Sequence, residues 1–400
     1  MIKLHDIKEA RARISAGIYL SPCPFTETLS RMTGCELYLK LENLQMTGSF
    51  KERGALNKIL CLSDAQKDCG IIAASAGNHA QGVAHAAQVG GLKCTIVMPE
   101  TTPLSKIRGT QELGAEIVLH GVGYDDASAK AAELQNAHGY TLIHAFDDDD
   151  VIAGQGTIGL ELIEQVADLD VVVVPVGGGG LISGIAVVMK ALKPEVRVIG
   201  VESERLPAMR DSLKAGKISS ASMASTIADG IAVCKIGDRT FPMVQQYVDE
   251  MVAVSEEETA AAIMMLLDRE KTLAEGAGAV GFAAIYNGKI DNLEGKKVVS
   301  ILSGGNIDMN LLSRIIKRGL EHDGRLTELK VVLPDRPGSI ARIASLIAKQ
   351  GANIFDITQS QWVTDVKLGE REIVLQLETK GHDQALTIID ALRKEGVLLK

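Results

Sequence analysis

Lys51 is the first residue of this sequence whose surroundings indicate chemistry. It follows Phe50 in the segment TGSFKERGA and stands at the start of a predicted helix. A lysine is most often a solvated surface residue, so its type alone favours no function. Burial beside Phe50 would lower the pKa of the amine, and a neutral amine is a nucleophile toward a carbonyl carbon. The other clusters therefore decide whether Lys51 is catalytic.

Two later clusters contain residue types that bind anions. Ser75, Ala76, Gly77 and Asn78 follow a predicted strand and open a helix, where hydroxyl, amide and backbone N–H groups bind carboxylates or phosphates. Capping of the helix by Ser75 or Asn78 is an equal alternative. A run of glycines separates another strand from a helix that begins at Leu181, and its members are Gly177, Gly178, Gly179 and Gly180. Because such a run costs conformational entropy, it predicts close approach of a phosphate to the backbone.

The last cluster, Ser303, Gly304, Gly305 and Asn306, also ends an apolar strand. A hydroxyl at that position can exchange a hydrogen bond with a ring nitrogen in a cleft, and the alternative interpretation is a turn. The motif GxGxxG is absent from the first strand–helix turn, and GxxxxGK[ST] is absent from the chain. These absences argue against a dinucleotide site and a P-loop.

Acidic, histidine and cysteine residues predict no metal centre. The aspartates of segment 147–150 are adjacent, so their charges repel and predict a solvated loop. His79 and His85 are six positions apart, and this spacing does not place two side chains on the same face of one helix. The cysteines are scattered, without a CxxC pair, and are interpreted as reduced thiols.

The elements that must position these clusters alternate short apolar strands with amphipathic helices, from Cys35 to about Leu311. This alternation predicts a mainly parallel sheet built from βαβ units. The predicted strands are 36–41, 70–74, 94–98, 116–119, 171–176, 197–201 and 297–302. The predicted helices include 51–62, 81–89, 103–113, 125–138, 181–192 and 256–270. Open α/β sheets bind ligands at the carboxyl ends of their strands, where the clusters after 74, 176 and 302 lie.

The pattern changes after the basic segment 317–324. Strands at 326–333, 353–363 and 370–378, helices at 338–350 and 382–394, and a last short strand give the βαββαβ order of a ferredoxin-like domain. Asp335, Pro337 and Gly338 lie in its first turn. Gly338 leaves backbone N–H groups free at a helix start.

Composition narrows the class of partner. The chain has 400 residues, of which 46% are hydrophobic and 23% charged, which predicts two or three globular domains. The net charge is −9, whereas proteins that bind nucleic acid or anionic lipid usually carry an excess of basic residues. The chain has no apolar run of membrane-spanning length and no signal-peptide pattern at its N-terminus. We therefore expect a cytoplasmic protein that binds small molecules and neither nucleic acid nor membrane.

The clusters, in this order, resemble those of the fold-type-II pyridoxal-phosphate enzymes, and most closely of the serine/threonine dehydratases. The resemblance extends to about Leu320, and its motifs are SPCPFTETLS, YLKLENLQMTGSFKERGA, AASAGNHAQG, HAFDDDDVIAGQGT, VVPVGGGGLISGI, TIADGIAV, EGAGA and LSGGNID. The segment LPDRPGSIARIASLIAKQGANI resembles an ACT domain, the regulatory module of many amino-acid enzymes.

The resemblance implies an α/β fold like that of tryptophan synthase β, with two open twisted sheets and a C-terminal ferredoxin-like ACT domain. The implied catalytic domain is 1–320, with a smaller subdomain at about 50–150. The implied linker is 321–325, and the implied ACT domain is 326–400.

The resemblance also implies a role for each cluster. Lys51 carries pyridoxal 5'-phosphate on its amine, and the glycine run with the Leu181 N–H holds the phosphate. The ring contacts are implied for Phe50 beside the ring, Asn78 at the 3-oxygen and Ser303 at the ring nitrogen. Ser75 binds the substrate carboxylate, and Gly230 and Glu275 line the pocket.

The implied reaction is β-elimination from L-threonine to 2-oxobutanoate and ammonia, and from L-serine to pyruvate, with Lys51 as the base. Serine racemase and a serine-preferring dehydratase are the alternatives within the family. Racemases have a serine immediately before the glycine of the GNH motif, and here that residue is Ala76. An amino-acid-binding protein with an inactive body is a further alternative, which the retention of Lys51 disfavours.

The implied regulation needs more than one chain. ACT units pair side by side, which predicts a homo-oligomer, a tetramer in our interpretation. The effector site is expected between the turn of one chain and a partner strand, at residues Asp335, Pro337, Gly338, Asn353 and Ile354. Isoleucine or valine is the first candidate effector, because 2-oxobutanoate feeds isoleucine synthesis.

Overall fold

The computed structural model describes residues 1–360 and 366–399, which divide into two compact units, Met1–Ile307 and Asp308–Lys400. The helices of the first unit are α1 Leu4–Ile14, α2 Glu27–Thr33, α3 Lys51–Leu60, α4 Asp64–Cys69, α5 Asn78–Gly90, α6 Leu104–Glu112, α7 Tyr124–His138, α8 Asp149–Gln165, α9 Gly180–Leu192, α10 Ala208–Ala215, α11 Thr240–Tyr247, α12 Glu256–Glu270 and α13 Gly276–Tyr286. Its strands are β1 Glu36–Leu41, β2 Ile71–Ala74, β3 Cys94–Met98, β4 Glu116–Leu119, β5 Thr141–Leu142, β6 Val171–Pro175, β7 Arg197–Ser203, β8 Glu250–Val254 and β9 Lys297–Leu302.

Two parallel sheets form the first unit. The larger has the strand order β1-β9-β6-β7-β8 and the smaller has the order β4-β3-β2-β5. The central strands β2 and β6 are buried along their whole length, as expected where helices cover both faces of a sheet. The α/β fold predicted from the alternation of strands and helices is therefore confirmed.

Segment 147–150 differs from its prediction, because it is a helix start and not a solvated loop. The Asp148 side chain accepts hydrogen bonds from the backbone N–H groups of Asp150 (2.9 Å) and Val151 (3.2 Å), so it caps α8. Asp149 and Asp150 then occupy the first turn. Free N–H groups and the helix dipole stabilise carboxylates at that end, which offsets the repulsion between them.

The second unit contains α14 Met309–His322, β10 Leu326–Pro334, α15 Ser339–Lys349, β11 Asn353–Ser360, β12 Glu370–Glu378, α16 His382–Lys394 and β13 Leu398–Leu399. Its antiparallel sheet has the order β11-β12-β10-β13. The βαββαβ order is confirmed, and the predicted strand positions 361–363 lie outside the described residues. The division at Ile307 falls before the expected end of the catalytic region at residue 320. None of the described helices is long and apolar enough to cross a membrane.

Candidate active site

Lys51 is the first residue of α3, and the residue as a whole is half-buried. The Nζ atom donates a hydrogen bond to the carbonyl oxygen of Ala145 (3.1 Å) and lies 5.1 Å from the centroid of the Phe50 ring. Burial lowers the pKa of this amine to about 8, and the negative charge of Glu275 opposes that shift. A substantial fraction of the amine is therefore neutral near physiological pH, as a nucleophile or base requires.

A buried group of charges holds the first turn of α3 in place. The Arg53 guanidinium donates hydrogen bonds to both carboxylate oxygens of Glu42 (2.7 and 2.8 Å) and of Glu161 (2.6 and 2.9 Å). Lys40 donates to Glu161 as well, at 2.5 Å. All four side chains are buried, so the helix that begins with Lys51 is tied to the end of β1 and to α8.

The loop before Lys51 (residues 47–50, the lysine loop) pairs with the loop after β9 (residues 303–306, the serine loop). The backbone N–H of Phe50 donates to the Ser303 carbonyl (3.1 Å), and the N–H of Gly305 donates to the Gly48 carbonyl (2.9 Å). Ser303 is only 3% exposed. The structure therefore brings Ser303, Phe50 and Lys51 into one region.

The start of α5 contributes a second polar group. The Ser75 hydroxyl accepts a hydrogen bond from the Gly77 N–H (3.2 Å), and the Asn78 side chain donates from Nδ2 to Glu275 Oε1 (2.6 Å). Gly77, which has no side chain, is the capping residue of the helix. The alternative interpretation, that these side chains only cap the helix, therefore holds in part for Ser75, whose hydroxyl accepts from the turn before the helix. It does not hold for Asn78, whose side chain donates to Glu275.

The glycine loop (residues 177–180) joins β6 to α9, and the chain itself fills the space that side chains would need. A Cβ at Gly178 would lie 2.3 Å from the Phe146 ring, and one at Gly180 would lie 2.9 Å from the Phe146 carbonyl oxygen. Gly179 has φ +93°, which side-chain-bearing residues rarely adopt. The N–H groups at the start of α9, including that of Leu181, lack partners within the helix and can receive an anion.

Glu275 contacts Asn78 at the start of α5. It is buried, and burial together with the charge of Asp229 raises the pKa of its carboxyl to about 7. A Cβ added at Gly230 would lie 3.2 Å from Glu275 Oε1 and 3.8 Å from Asn78 Nδ2. Gly230, Glu275 and Asn78 are therefore neighbours, so the structure brings together residues that are far apart in the sequence.

Three residues of the candidate site were given no role by the sequence analysis. Ala145 contacts Lys51 through a backbone oxygen and Phe146 packs against the glycine loop, although both lie in the motif HAFDDDD. A contact made by a backbone oxygen cannot be predicted from the residue type. Asn306 donates to Asn78 Oδ1 (2.8 Å), and its place in the motif LSGGNID was the available signal.

The predicted effector residues lie apart from one another within one chain. Asp335 follows β10, where its carboxylate pairs with Arg371, and Gly338 caps α15 with φ +88°. Asn353 begins β11 and pairs across the sheet with Glu378 of β12, which in turn pairs with Leu326 at the start of β10. The Asn353 side chain also donates a hydrogen bond to the Glu378 carboxylate (2.8 Å). Ile354 is its neighbour. The turn and the start of β11 are therefore at opposite ends of the sheet.

The residues around Lys51 fit a phosphate-bearing aldehyde. The glycine loop is packed closely against its own chain, and it offers helix-start N–H groups for a phosphate. The desolvated amine of Lys51 is the nucleophile that an aldehyde carbon needs. Pyridoxal phosphate has both groups.

Comparison with known proteins agrees with this fit. Residues 14–304 match the family described as pyridoxal-phosphate dependent enzyme, and residues 327–397 match the ACT domain. An L-threonine ammonia-lyase of Thermotoga maritima is 51% identical, over 95% of this chain and 94% of its own. One of Geobacter sulfurreducens is 45% identical, over 98% of both chains.

Two solved structures share the fold of the first unit. The processed form of threonine deaminase isoform 2 from Solanum lycopersicum has a TM-score of 0.74 and 39% identity, and covers 79% of this chain and 89% of its own. Maize serine racemase has a TM-score of 0.75 and 35% identity, and covers 80% of this chain and 98% of its own. The chain therefore belongs to the pyridoxal-phosphate-dependent enzymes, in their fold-type-II branch, and has an ACT domain after its catalytic region.

Proposed function

We propose that this protein is an L-threonine ammonia-lyase, which converts L-threonine to 2-oxobutanoate and ammonia and accepts L-serine as a second substrate. The observation that carries the proposal is the desolvated amine of Lys51, with a pKa of about 8, beside the glycine loop and the serine loop. Two relatives that match nearly the whole chain have names that denote this reaction, which supports threonine as the substrate.

The cofactor and Lys51 have different roles in the proposed reaction. When bound, pyridoxal phosphate supplies an electron sink for the negative charge that develops at the substrate Cα. Lys51 would hold the cofactor through its amine, and the same amine, when free, would remove the Cα proton of the substrate. Its hydrogen bond to the Ala145 carbonyl orients the amine. A pKa of about 8 allows Lys51 to take up and return that proton near neutral pH.

Neutral and buried groups set the surroundings of the reacting atoms. Ser303 is nearly buried, and it would offer the ring nitrogen a hydroxyl rather than a carboxylate, which would not hold that nitrogen protonated. The Ser75 hydroxyl accepts from Gly77 and keeps its own hydrogen for donation to the substrate carboxylate. This arrangement favours loss of a β-hydroxyl over transamination.

Kinetics on the two substrates test the proposal. The purified protein loaded with pyridoxal phosphate should release 2-oxobutanoate from L-threonine with a higher kcat/KM than it releases pyruvate from L-serine. Lys51→Ala should reduce both rates by orders of magnitude, since nucleophile and base are lost together. Release of pyruvate from serine without turnover of threonine would replace the proposal with a serine dehydratase.

Serine racemase is the second candidate, since maize serine racemase shares the fold at 35% identity. Racemisation needs a proton carrier on the face of the substrate opposite Lys51. Ala76, half-buried between Ser75 and Gly77, has no ionisable or hydroxyl group to serve there. We expect Ala76→Ser to raise the ratio of D-serine to pyruvate formed from L-serine. An unchanged ratio would show that residue 76 does not control the choice.

We also propose that an amino acid, isoleucine or valine first, regulates the enzyme between two ACT units of a homotetramer. The predicted effector residues lie at opposite ends of one sheet, so a second chain is needed to unite them. The edge strand β11 supports such pairing, because Phe355 is 63% exposed and Ile357 is 42% exposed. Effector coupling of about 1–3 kcal/mol would be ordinary.

Substitution at the exposed edge tests the regulatory proposal. Phe355→Glu should weaken oligomerisation in sedimentation experiments and remove the shift that isoleucine or valine causes in the threonine saturation curve. Leu386→Glu is the matched control, since Leu386 lies on α16 of the same unit and is 59% exposed. If Phe355→Glu retained both the oligomer and the shift, pairing through β11 would be excluded.

A further inference from the structure

The side chain of Asn306 connects three parts of the pocket. Its Nδ2 atom lies 2.7 Å from the Thr47 carbonyl oxygen, 2.8 Å from Asn78 Oδ1 and 3.2 Å from Gln81 Oε1. An amide nitrogen has two hydrogens, so these three acceptors share two donors. The side chain thus joins the serine loop to the lysine loop and to the first turn of α5.

The lysine loop has a shape that admits this side chain. Gly48 has φ +72°, and a Cβ there would lie 2.5 Å from Asn306 Oδ1. The Gly48 carbonyl accepts a hydrogen bond from the Gly305 N–H (2.9 Å). Any residue larger than glycine at position 48 would therefore be strained in its backbone and would displace Asn306.

The bonds of Asn306 determine the orientation of the Asn78 amide. Asn78 accepts from Asn306 through Oδ1 and donates to Glu275 through Nδ2 (2.6 Å). The reverse orientation would set the NH2 groups of Asn78 and Asn306 against each other, because Asn306 Nδ2 is fixed by the Thr47 carbonyl. Of the two N–H bonds on Asn78 Nδ2, one is used on Glu275 and the other is left for a ligand.

We infer that Asn306 is a positioning residue that holds the Asn78 amide with its NH2 group available to the cofactor and ties the lysine loop to α5. Asn306 acts through Asn78 and does not itself touch the reacting atoms. The inference rests on the family's cofactor and on the ring contact that the family resemblance implies for Asn78. It is independent of whether threonine or serine is the preferred substrate.

The absorption spectrum of the bound cofactor is the readout, because a donor near the ring changes the spectrum and a purely structural support does not. Asn306→Ala should shift the absorption maximum and raise the dissociation constant of pyridoxal phosphate about tenfold, the usual effect of losing one such bond. Asn306→Asp, nearly equal in volume, should also shift the maximum, since a carboxylate cannot donate to Asn78 Oδ1.

A double-mutant cycle shows whether Asn306 acts through Asn78. In the Asn78→Ala background, Asn306→Ala should cause no further spectral shift. Asn43→Asp is the matched control, because Asn43 Nδ2 donates to a backbone carbonyl nearby, that of Leu273 (2.9 Å), without contacting Asn78. This control should leave the absorption maximum unchanged.

The outcomes distinguish a failure of the positioning role of Asn306 from a failure of the ring contact of Asn78. An equal shift from Asn306→Ala in both backgrounds, or no shift from either Asn306 variant, would overturn the positioning role. If Asn78→Ala left the spectrum unchanged, the ring contact of Asn78 would be wrong and the inference would fall with it. Loss of threonine turnover without spectral change in the Asn78 and Asn306 variants would point to substrate binding instead.

Discussion

Two loops of this protein begin a helix with a glycine in the left-handed region, yet they differ in what surrounds them. In the glycine loop, Gly179 has φ +93°, and a Cβ there would lie 2.7 Å from the Met209 side chain. In the turn before α15, Gly338 has φ +88°, and a Cβ would meet nothing within 4 Å. The first loop is enclosed by its own chain, whereas the second faces open space.

The charged groups of the two units differ in the same way. In the first unit, the Arg53 side chain is 1% exposed and is surrounded by Glu42 and Glu161. In the second unit, Arg371 pairs with Asp335 while it is 41% exposed. The ion pairs of Arg53 are therefore shielded from solvent by their own chain, whereas that of Arg371 is open to solvent. We propose that a second chain covers the turn before α15.

The largest difference should appear when each arginine is removed. Arg53→Ala leaves Glu42 and Glu161 buried with less compensation, which should lower the free energy of unfolding by about 3–5 kcal/mol. Arg371→Ala should lower it by less than about 1 kcal/mol, since exposed ion pairs contribute little. Urea unfolding, monitored in both variants, checks the contrast, and equal losses would contradict it.

The next effect is a pH dependence of stability in the cofactor-free protein. Burial raises the pKa of Glu275 from 4.5 to about 7, so its contribution to stability is present below pH 4.5 and is lost as the pH rises through 7. Glu275→Gln removes this titration. Relative to that variant, the wild-type protein should therefore become less stable between pH 5 and pH 8 in denaturant titrations. A constant difference across that range would show that Glu275 does not titrate abnormally.

Substitution in the glycine loop should weaken cofactor binding. The Cβ of Gly178→Ala would lie 2.3 Å from the Phe146 ring, and overpacking of about 1–3 kcal/mol corresponds to roughly a tenfold to hundredfold higher dissociation constant. Adding Phe146→Ala should restore part of the affinity, because it removes the clash. Gly123→Ala is the matched control, because Gly123 likewise has no positive φ and a Cβ there would meet nothing within 4 Å; an equal loss there would mean that crowding is not the cause.

The smallest effect is expected at the regulatory turn. Gly338→Ala should lower stability by about 1–2 kcal/mol through positive φ alone and leave cofactor affinity unchanged. It should also weaken the response to isoleucine or valine. Gly396→Ala, at φ +75° in the same unit with nothing within 4 Å, should cost the same stability and keep the response. If both variants kept the response, the turn would not be part of the effector site.

Sequence reasoning placed several strands correctly. β1, β3, β4 and β9 have their predicted bounds, because each short apolar run ends at a polar residue or a proline, namely Glu42, Pro99, His120 and Ser303. It gave no partner for Asn306, which bonds Asn78 from 228 positions away, because residue type alone does not say which amide another amide will meet. It also failed at Asp148, because the prediction considered repulsion between carboxylates and not the free N–H groups of a helix start.

The identity of the amine that holds the cofactor tests the account most directly. Borohydride reduction of the protein loaded with pyridoxal phosphate, followed by peptide mass mapping, identifies that amine. The account predicts a label on Lys51 alone, and no label in Lys51→Ala. A label on another lysine, or full threonine turnover by Lys51→Ala, would contradict the central role given to this residue.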